Sequence, residues 1–187
     1  MSKIKNILPL TIAAGAMFLS WLILRKDKQQ TQILTNNEDT DMRTNTMLPR
    51  GYRNNNPLNI RINADNNWQG KVYFNTDHVF EQFTSMPYGY RAALKLIRNY
   101  ITNYGCNTVA KIIEKWAPPV ENNTEKYIAD VCKLSGLTPD TTIGYNSKTA
   151  LKKMVYAMSI IENGNNDATR EAGLPNMKLI EQGYNLL

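Results

Sequence analysis

Near Gly89 the spacing of apolar residues changes period, and that change limits the folds open to this 187-residue chain. Before it, Leu58–Ile62, Lys71–Phe74 and Val79–Phe83 are short runs carrying β-branched or aromatic residues, separated by Asn, Asp and Gly. Such runs predict a small antiparallel sheet. After it, Ala93, Leu96, Ile97, Tyr100, Ile101 and Tyr104 recur at three and four, giving one helix face that ends at Gly105. Asn107 or Thr108 can cap a shorter helix with Val109, Ile112, Ile113 and Trp116 on one side, stopped by Pro118-Pro119. Asn122 with Glu125 three residues on resembles a capping box, opening a helix with Tyr127, Ile128, Val131 and Cys132 inward and Gly136 at its end. Ser147 can cap the next, whose Leu151, Met154, Val155, Met158 and Ile161 form a stripe ending at Gly164. A last short helix is expected at about 176–182. A small sheet followed by several helices predicts a mainly helical α+β domain.

The first 28 residues read as a separate unit. From Ile7 to Leu24 the chain has eighteen residues without a charge, flanked by Lys3 and Lys5 and by Arg25, Lys26 and Lys28. A helix of that length rises about 27 Å, close to the hydrocarbon thickness of a bilayer. The expectation is one transmembrane helix over 7–24, retained because Ala14-Gly15-Ala16 lies inside the apolar run instead of after it. Residues 29–49, rich in Gln, Asn, Thr and Asp, read as a flexible linker, and the folded domain as 50–187.

The formal charge of +6 is spread along the chain, and no nucleic-acid motif accompanies it, so a nucleic-acid partner is not expected. A diffuse positive surface suits an anionic cell-wall polymer or lipid. Cys106 and Cys132 sit in no metal-ligand spacing; no metal and no cofactor are expected.

Between Arg50 and Gly164 run six short signatures: Asn54-Asn55-Asn56-Pro57-Leu58-Asn59-Ile60, Trp68-Gln69-Gly70, Phe80-Glu81-Gln82-Phe83, Gly89-Tyr90-Arg91-Ala92, the stretch 116–124 from Trp116, and Ile160-Ile161-Glu162-Asn163-Gly164. Together they resemble the lysozyme-like peptidoglycan hydrolases of the lytic transglycosylase and muramidase superfamily, in a phage-type form akin to the virion-associated structural protein P5-like family. The resemblance spans roughly 50–187. It implies a lysozyme-like domain in which a small sheet lobe and helices enclose a cleft, with a catalytic glutamate at a helix end. Here the helix ending at Glu162 comes last, and Glu121 to Tyr127 is similar to the Glu-Thr-x-x-Tyr-Val segment of those enzymes, so the order implied is circularly permuted. An unpermuted alternative needs an acid before the strands, where the chain offers Glu38, Asp39 and Asp41 in a polar tether.

Glycosidic cleavage needs a carboxylic acid that hands a proton to the leaving oxygen. Glu162 follows Ile160-Ile161 at the last turn of an apolar-faced helix, where the negative end of the dipole and apolar neighbours both disfavour an anion. That direction suits a general acid/base; the plain rival is a solvated helix-end glutamate. Glu121, at a helix start, is the second candidate, with capping as its rival role. Glu81 is the third; it alternates with Phe80 and Phe83 on an expected strand and faces either cleft or water. Sugars are held by aromatic faces and by amide or guanidinium donors, which selects Asn59, Tyr90, Arg91, Trp116, Asn122 and Tyr127 as substrate-binding candidates. Trp116 and Tyr127 fall on apolar helix stripes and could equally be core, while Arg91 could brace the domain through an ion pair.

The resulting expectation is a membrane-anchored phage protein that cleaves peptidoglycan glycan strands, held by its single N-terminal helix in a virion membrane or the host inner membrane facing the periplasm. Its expected partners are peptidoglycan, lipid through residues 7–24, and other virion proteins. The alternative is a noncatalytic membrane-attached virion structural protein that binds peptidoglycan. A Cys-His peptidase built on Cys106 and His78 has no further motif behind it.

Overall fold

The computed structural model describes residues 25–32, 47–120 and 123–187. The chain divides into two compact units, Met1–Asn45 and Thr46–Leu187. Of the first, residues 25–32 are described; they are helical and exposed, so the stretch read as a linker from residue 29 opens in helix.

In the second unit the helices are α1 (Arg50–Arg53), α2 (Met86–Tyr104), α3 (Val109–Trp116), α4 (Thr124–Ser135), α5 (Lys148–Asn163), α6 (Asp167–Glu171) and α7 (Met177–Asn185). Their ends follow local chemistry. The Thr108 side chain caps α3 by accepting from the Lys111 amide, and Asn123, one residue beyond the expected cap, does the same for α4 from Lys126. Gly105 and Gly136 close α2 and α4 in left-handed geometry (φ 66° and 68°), which a side chain would strain. Ser147 instead accepts from the Gly144 amide, fixing the turn into α5.

The helices bury their apolar stripes against one another: α2 on α7, α4 on α5, α5 on α7 and α3 on α4. The core runs through Leu94 and Ile97 of α2, Ile112 and Ile113 of α3, Val131 of α4, Leu151, Met154 and Met158 of α5 and Ile180 of α7, all solvent-excluded. Each such aliphatic side chain contributes roughly 1.5–3 kcal/mol of transfer free energy. Gly183 lets α7 approach α2 closely, since a Cβ there would come 2.7 Å from the Pro87 carbonyl oxygen and 2.8 Å from Tyr90 Cβ.

The expected antiparallel sheet is corrected. Among the described residues no strand forms; the segment before α2 holds only isolated antiparallel bridges, Arg61 with Phe80 and Lys71 with Phe83. The reason lies in the asparagines. Asn55 and Asn59 adopt left-handed backbone (φ 51° and 50°), which breaks a strand. Side-chain amides then take backbone partners that a ladder would have used: Asn56 Nδ2 donates to the Ile60 and Glu81 carbonyls, Asn55 Nδ2 to Phe83 O, and Asn75 Nδ2 to Phe80 O. The segment is a loop cross-linked by amides.

The expected membrane anchor is corrected as well. No helix of the described residues is long and apolar enough to cross a membrane. Residues 7–24, on which that expectation falls, lie outside the described residues.

Asp77 ties the loop to α1. Its carboxylate receives Arg50 Nε and Nη2 at 2.6 Å each, Asn54 Nδ2 at 2.7 Å, and the Val79 and Phe80 amides at 2.9 Å. Arg50 above all, with the Phe80, Val79 and Asn54 donors, holds this carboxyl well below the usual range. A folded-state value below the unfolded one contributes stability that is full above the unfolded value, about 3.9, and is lost as pH falls. Glu181, pulled down to about 2 by Lys148 and Lys152, acts in the same direction. Urea denaturation should thus show stability dropping as pH falls below about 4, and Asp77→Asn should flatten that drop. An unchanged acid limb in the variant would remove Asp77 from this role.

Candidate functional site

The turn of α5 that precedes Asn163 carries Glu162, half-buried, on the wall of a cleft of about 770 Å³. That volume lies within the ordinary range for small-molecule sites. The loop residues Leu58–Ala64 and Phe80 form one side, and Leu96, Tyr100, Trp116, Ala117 and Tyr127 contribute from α2 to α4.

Three side chains far apart in sequence converge on the Glu162 carboxylate. Tyr127 Oη donates to Oε1 at 2.8 Å, Trp116 Nε1 donates to the same oxygen at 3.3 Å, and Asn59 Nδ2 donates to Oε2 at 3.1 Å. Each is placed by a distinct local device. Trp116 ends α3, and the Thr124 hydroxyl, donating to Ala117 O at 2.6 Å, ties that end to the start of α4, where Tyr127 sits one turn on. Asn59 reaches Glu162 from its left-handed backbone, a conformation asparagine tolerates better than most residues. Burial first, and then the neighbouring Glu162 charge, push the Tyr127 phenol far above its ordinary value, so it stays a neutral donor.

The next residue fixes the helix end. Asn163 Nδ2 donates to Pro57 O at 2.7 Å and to Ser159 O at 3.0 Å, joining the end of α5 to the Asn-Pro-Leu-Asn-Ile loop. The side-chain oxygens of Asn59 and Asn163 are buried without a hydrogen-bond partner among the described residues. Both face Gly51, where a Cβ would overlap Asn163 Oδ1 and come 2.7 Å from Asn59 Oδ1. The glycine of α1 thereby leaves room for the two asparagine oxygens beside Glu162.

Asn59, Trp116, Tyr127 and Glu162, four of the sequence candidates, thus share the cleft. Tyr90 and Arg91 do not line it. Tyr90 is fully buried in the core, and Arg91 Nε donates to Leu186 O at 2.9 Å, bracing α2 against the C-terminal end of the chain. Glu81 is also elsewhere: it is solvent-excluded and ion-paired with Lys71 Nζ at 3.0 Å, where sequence had left it to cleft or water. Glu121 and Asn122 lie outside the described residues. Among the described residues lining the cleft, Glu162 is the sole carboxylate. Cys106 and Cys132 are free thiols and neither lines it. Among the described residues no His, Cys, Asp and Glu cluster is arranged to hold a metal ion.

No protein-family model matches the sequence. A relative, Protein P5 of Pseudoalteromonas phage PM2, is 37% identical over 122 residues, which cover 64% of this chain and 74% of that protein. The chain belongs to the phage protein P5 family.

In this P5-family protein, sequence reasoning missed Arg61, Phe80 and Tyr100, all of which line the cleft. Tyr100 lay on the helix stripe and read as core. Phe80 carried the alternation expected of a strand. Arg61 stood between Ile60 and Ile62 in a run expected as a strand, with no motif to mark it.

Proposed function

We propose that this phage protein cleaves the glycan strands of peptidoglycan between N-acetylmuramic acid and N-acetylglucosamine, with Glu162 as general acid/base. The observation that carries the reading is the convergence of Asn59, Trp116 and Tyr127 on one carboxylate at the wall of an open cleft. Hydrogen bonds to both oxygens fix the orientation of the group, which proton transfer requires. Protonated Glu162 gives its proton to the glycosidic oxygen as the bond to the muramyl C1 breaks. The resulting carboxylate accepts the proton of the nucleophile that closes on C1, either the muramyl 6-hydroxyl, giving a 1,6-anhydro end, or water, giving a reducing end. A retaining mechanism through an enzyme nucleophile needs a second carboxyl about 5 Å away. Both the 6-hydroxyl and the water route use Glu162 alone, the sole carboxylate among the described lining residues.

The test is digestion of purified peptidoglycan with the full chain and mass analysis of the products. Anhydro-muramyl ends support the transglycosylase form and reducing muramyl ends the hydrolase form; an intact polymer rejects cleavage. Tyr127→Phe should lower kcat by about tenfold to a hundredfold with little change in KM, the pattern of a group that orients the acid instead of binding substrate. Equal loss in KM alone would reassign Tyr127 to substrate binding.

A second reading has one observation in its favour. Three donors occupy the Glu162 carboxylate, an arrangement that also serves as a buttress joining α3, α4, α5 and the Asn59 loop. In that case the protein is a noncatalytic virion component that grips peptidoglycan in the same cleft, and Glu162→Gln would lower stability while the wall stays intact in either form.

A further inference from the structure

The cations around the cleft loop differ in what neutralises them. Arg50 is bonded to Asp77 through two nitrogens, and Lys71 is paired with the buried Glu81. Arg61 has no acidic partner among the described residues. Its guanidinium carbon sits 5.8 Å from the centre of the Phe80 ring, and Phe80 is itself covered by Arg50 at 4.7 Å. Both Arg61 and Phe80 line the cleft that holds Glu162, and Arg61 is exposed. Apart from Glu162, the other described lining residues are apolar, aromatic or amide-bearing, so among the described residues the cleft presents one cationic group, beside the Glu162 carboxylate, to whatever enters it. An aromatic face beside a guanidinium limits its motion and leaves its edge donors free for a planar anion.

We infer that Arg61 is a specificity determinant that reads a carboxylate on the glycan strand, so that the cleft takes acidic peptidoglycan in preference to neutral chitin-like glycan. This rests on the glycan-binding reading of the cleft and deepens it. The carboxylate has two sources in that polymer: the lactyl group of a muramyl residue stripped of its peptide, or the acidic residues of an attached stem peptide. A guanidinium recognises both through the same paired N–H donors. Because Arg61 is exposed, the contact is open to screening, and its contribution falls as salt rises.

The test measures binding, so that it does not depend on turnover. The full chain carrying Glu162→Gln is titrated with neutral chitohexaose, with peptide-free glycan strands bearing lactyl carboxylates, and with strands retaining their stem peptides. The same titrations are run after adding Arg61→Gln or Arg61→Lys. The expected result is tighter binding of one or both acidic ligands than of chitohexaose, and about a fivefold loss of that preference in Arg61→Gln. Arg61→Lys should restore part of it, and high salt should erase it, while chitohexaose affinity stays level throughout. Which acidic strand loses more identifies the carboxylate. Equal losses for neutral and acidic ligands would overturn the inference and leave the glycan reading standing. Charge-selective binding without cleavage by the parent chain would support the inference while removing the catalytic one. Failure to bind any of the three would overturn both.

Discussion

Lys71→Met should destabilise the protein by about 3 kcal/mol, because it strands the Glu81 carboxylate. Glu81 is completely excluded from solvent, and its Oε1 meets Lys71 Nζ at 3.0 Å. Its other oxygen has no hydrogen-bond partner among the described residues. Breaking a buried pair from one side typically costs 3–5 kcal/mol, and the lower end applies because the Lys71 side chain keeps 31% of its exposure. Removing both charges is a different matter, since a buried pair replaced by apolar groups of similar size is often neutral. The Lys71→Met, Glu81→Leu double variant should therefore recover most of the loss. Urea denaturation of the parent, both singles and the double checks this. A Lys71→Met variant within about 0.5 kcal/mol of the parent, the usual range for an unremarkable surface change, would mean that Glu81 is relieved in another way.

Gly89→Ala should cost about 3 kcal/mol by a separate mechanism. A Cβ at Gly89 would overlap the Asn55 carbonyl oxygen and come 2.8 Å from Pro57 Cδ. Neither atom can swing aside: one is backbone in left-handed geometry, the other a ring carbon. The loop from Asn54 to Asn59 would have to lift off α2, and it carries Asn59 with it. Thermal denaturation should show the stability loss, and any glycan-cleaving activity should fall further than stability alone accounts for. A variant as stable and as active as the parent would show that this close approach is dispensable.

The same glycine belongs to a sequence signature whose residues the structure places away from the cleft. Gly89-Tyr90-Arg91-Ala92 looked partly like sugar-binding chemistry. In the structure Gly89 admits the Asn55–Pro57 loop, Tyr90 and Ala92 are core, and Arg91 braces the C-terminal end of the chain. Tyr90 stands four residues before Leu94 and seven before Ile97, which is the spacing of a buried stripe. That period, read one turn further back, was the available signal.

Where apolar spacing and end-capping residues agree, the helices were legible. Thr108, Gly105, Gly136 and Gly164 all mark ends or caps of α2 to α5, and Asn176 caps α7 where a closing helix was expected. The five-residue α6 is too short to display a period. The sheet was misread because β-branched and aromatic runs report half-buried extended chain, not the ladder itself. Whether extended segments pair depends on partners that, here, Asn55, Asn56 and Asn75 take over. In the site, Glu162 and its helix end were visible in sequence, as were Asn59, Trp116 and Tyr127 as separate candidates. Their convergence was not, because it depends on how the ends of α3, α4 and α5 meet the loop.

The most direct measurement compares the full parent chain with Glu162→Gln on purified peptidoglycan, with circular dichroism showing both folded and mass spectrometry identifying the products. The parent should release muramyl ends, and the variant should lose about a thousandfold or more of that activity, as for removal of an essential acid. Undiminished cleavage by folded Glu162→Gln would contradict it, and so would an intact polymer after treatment with the folded parent.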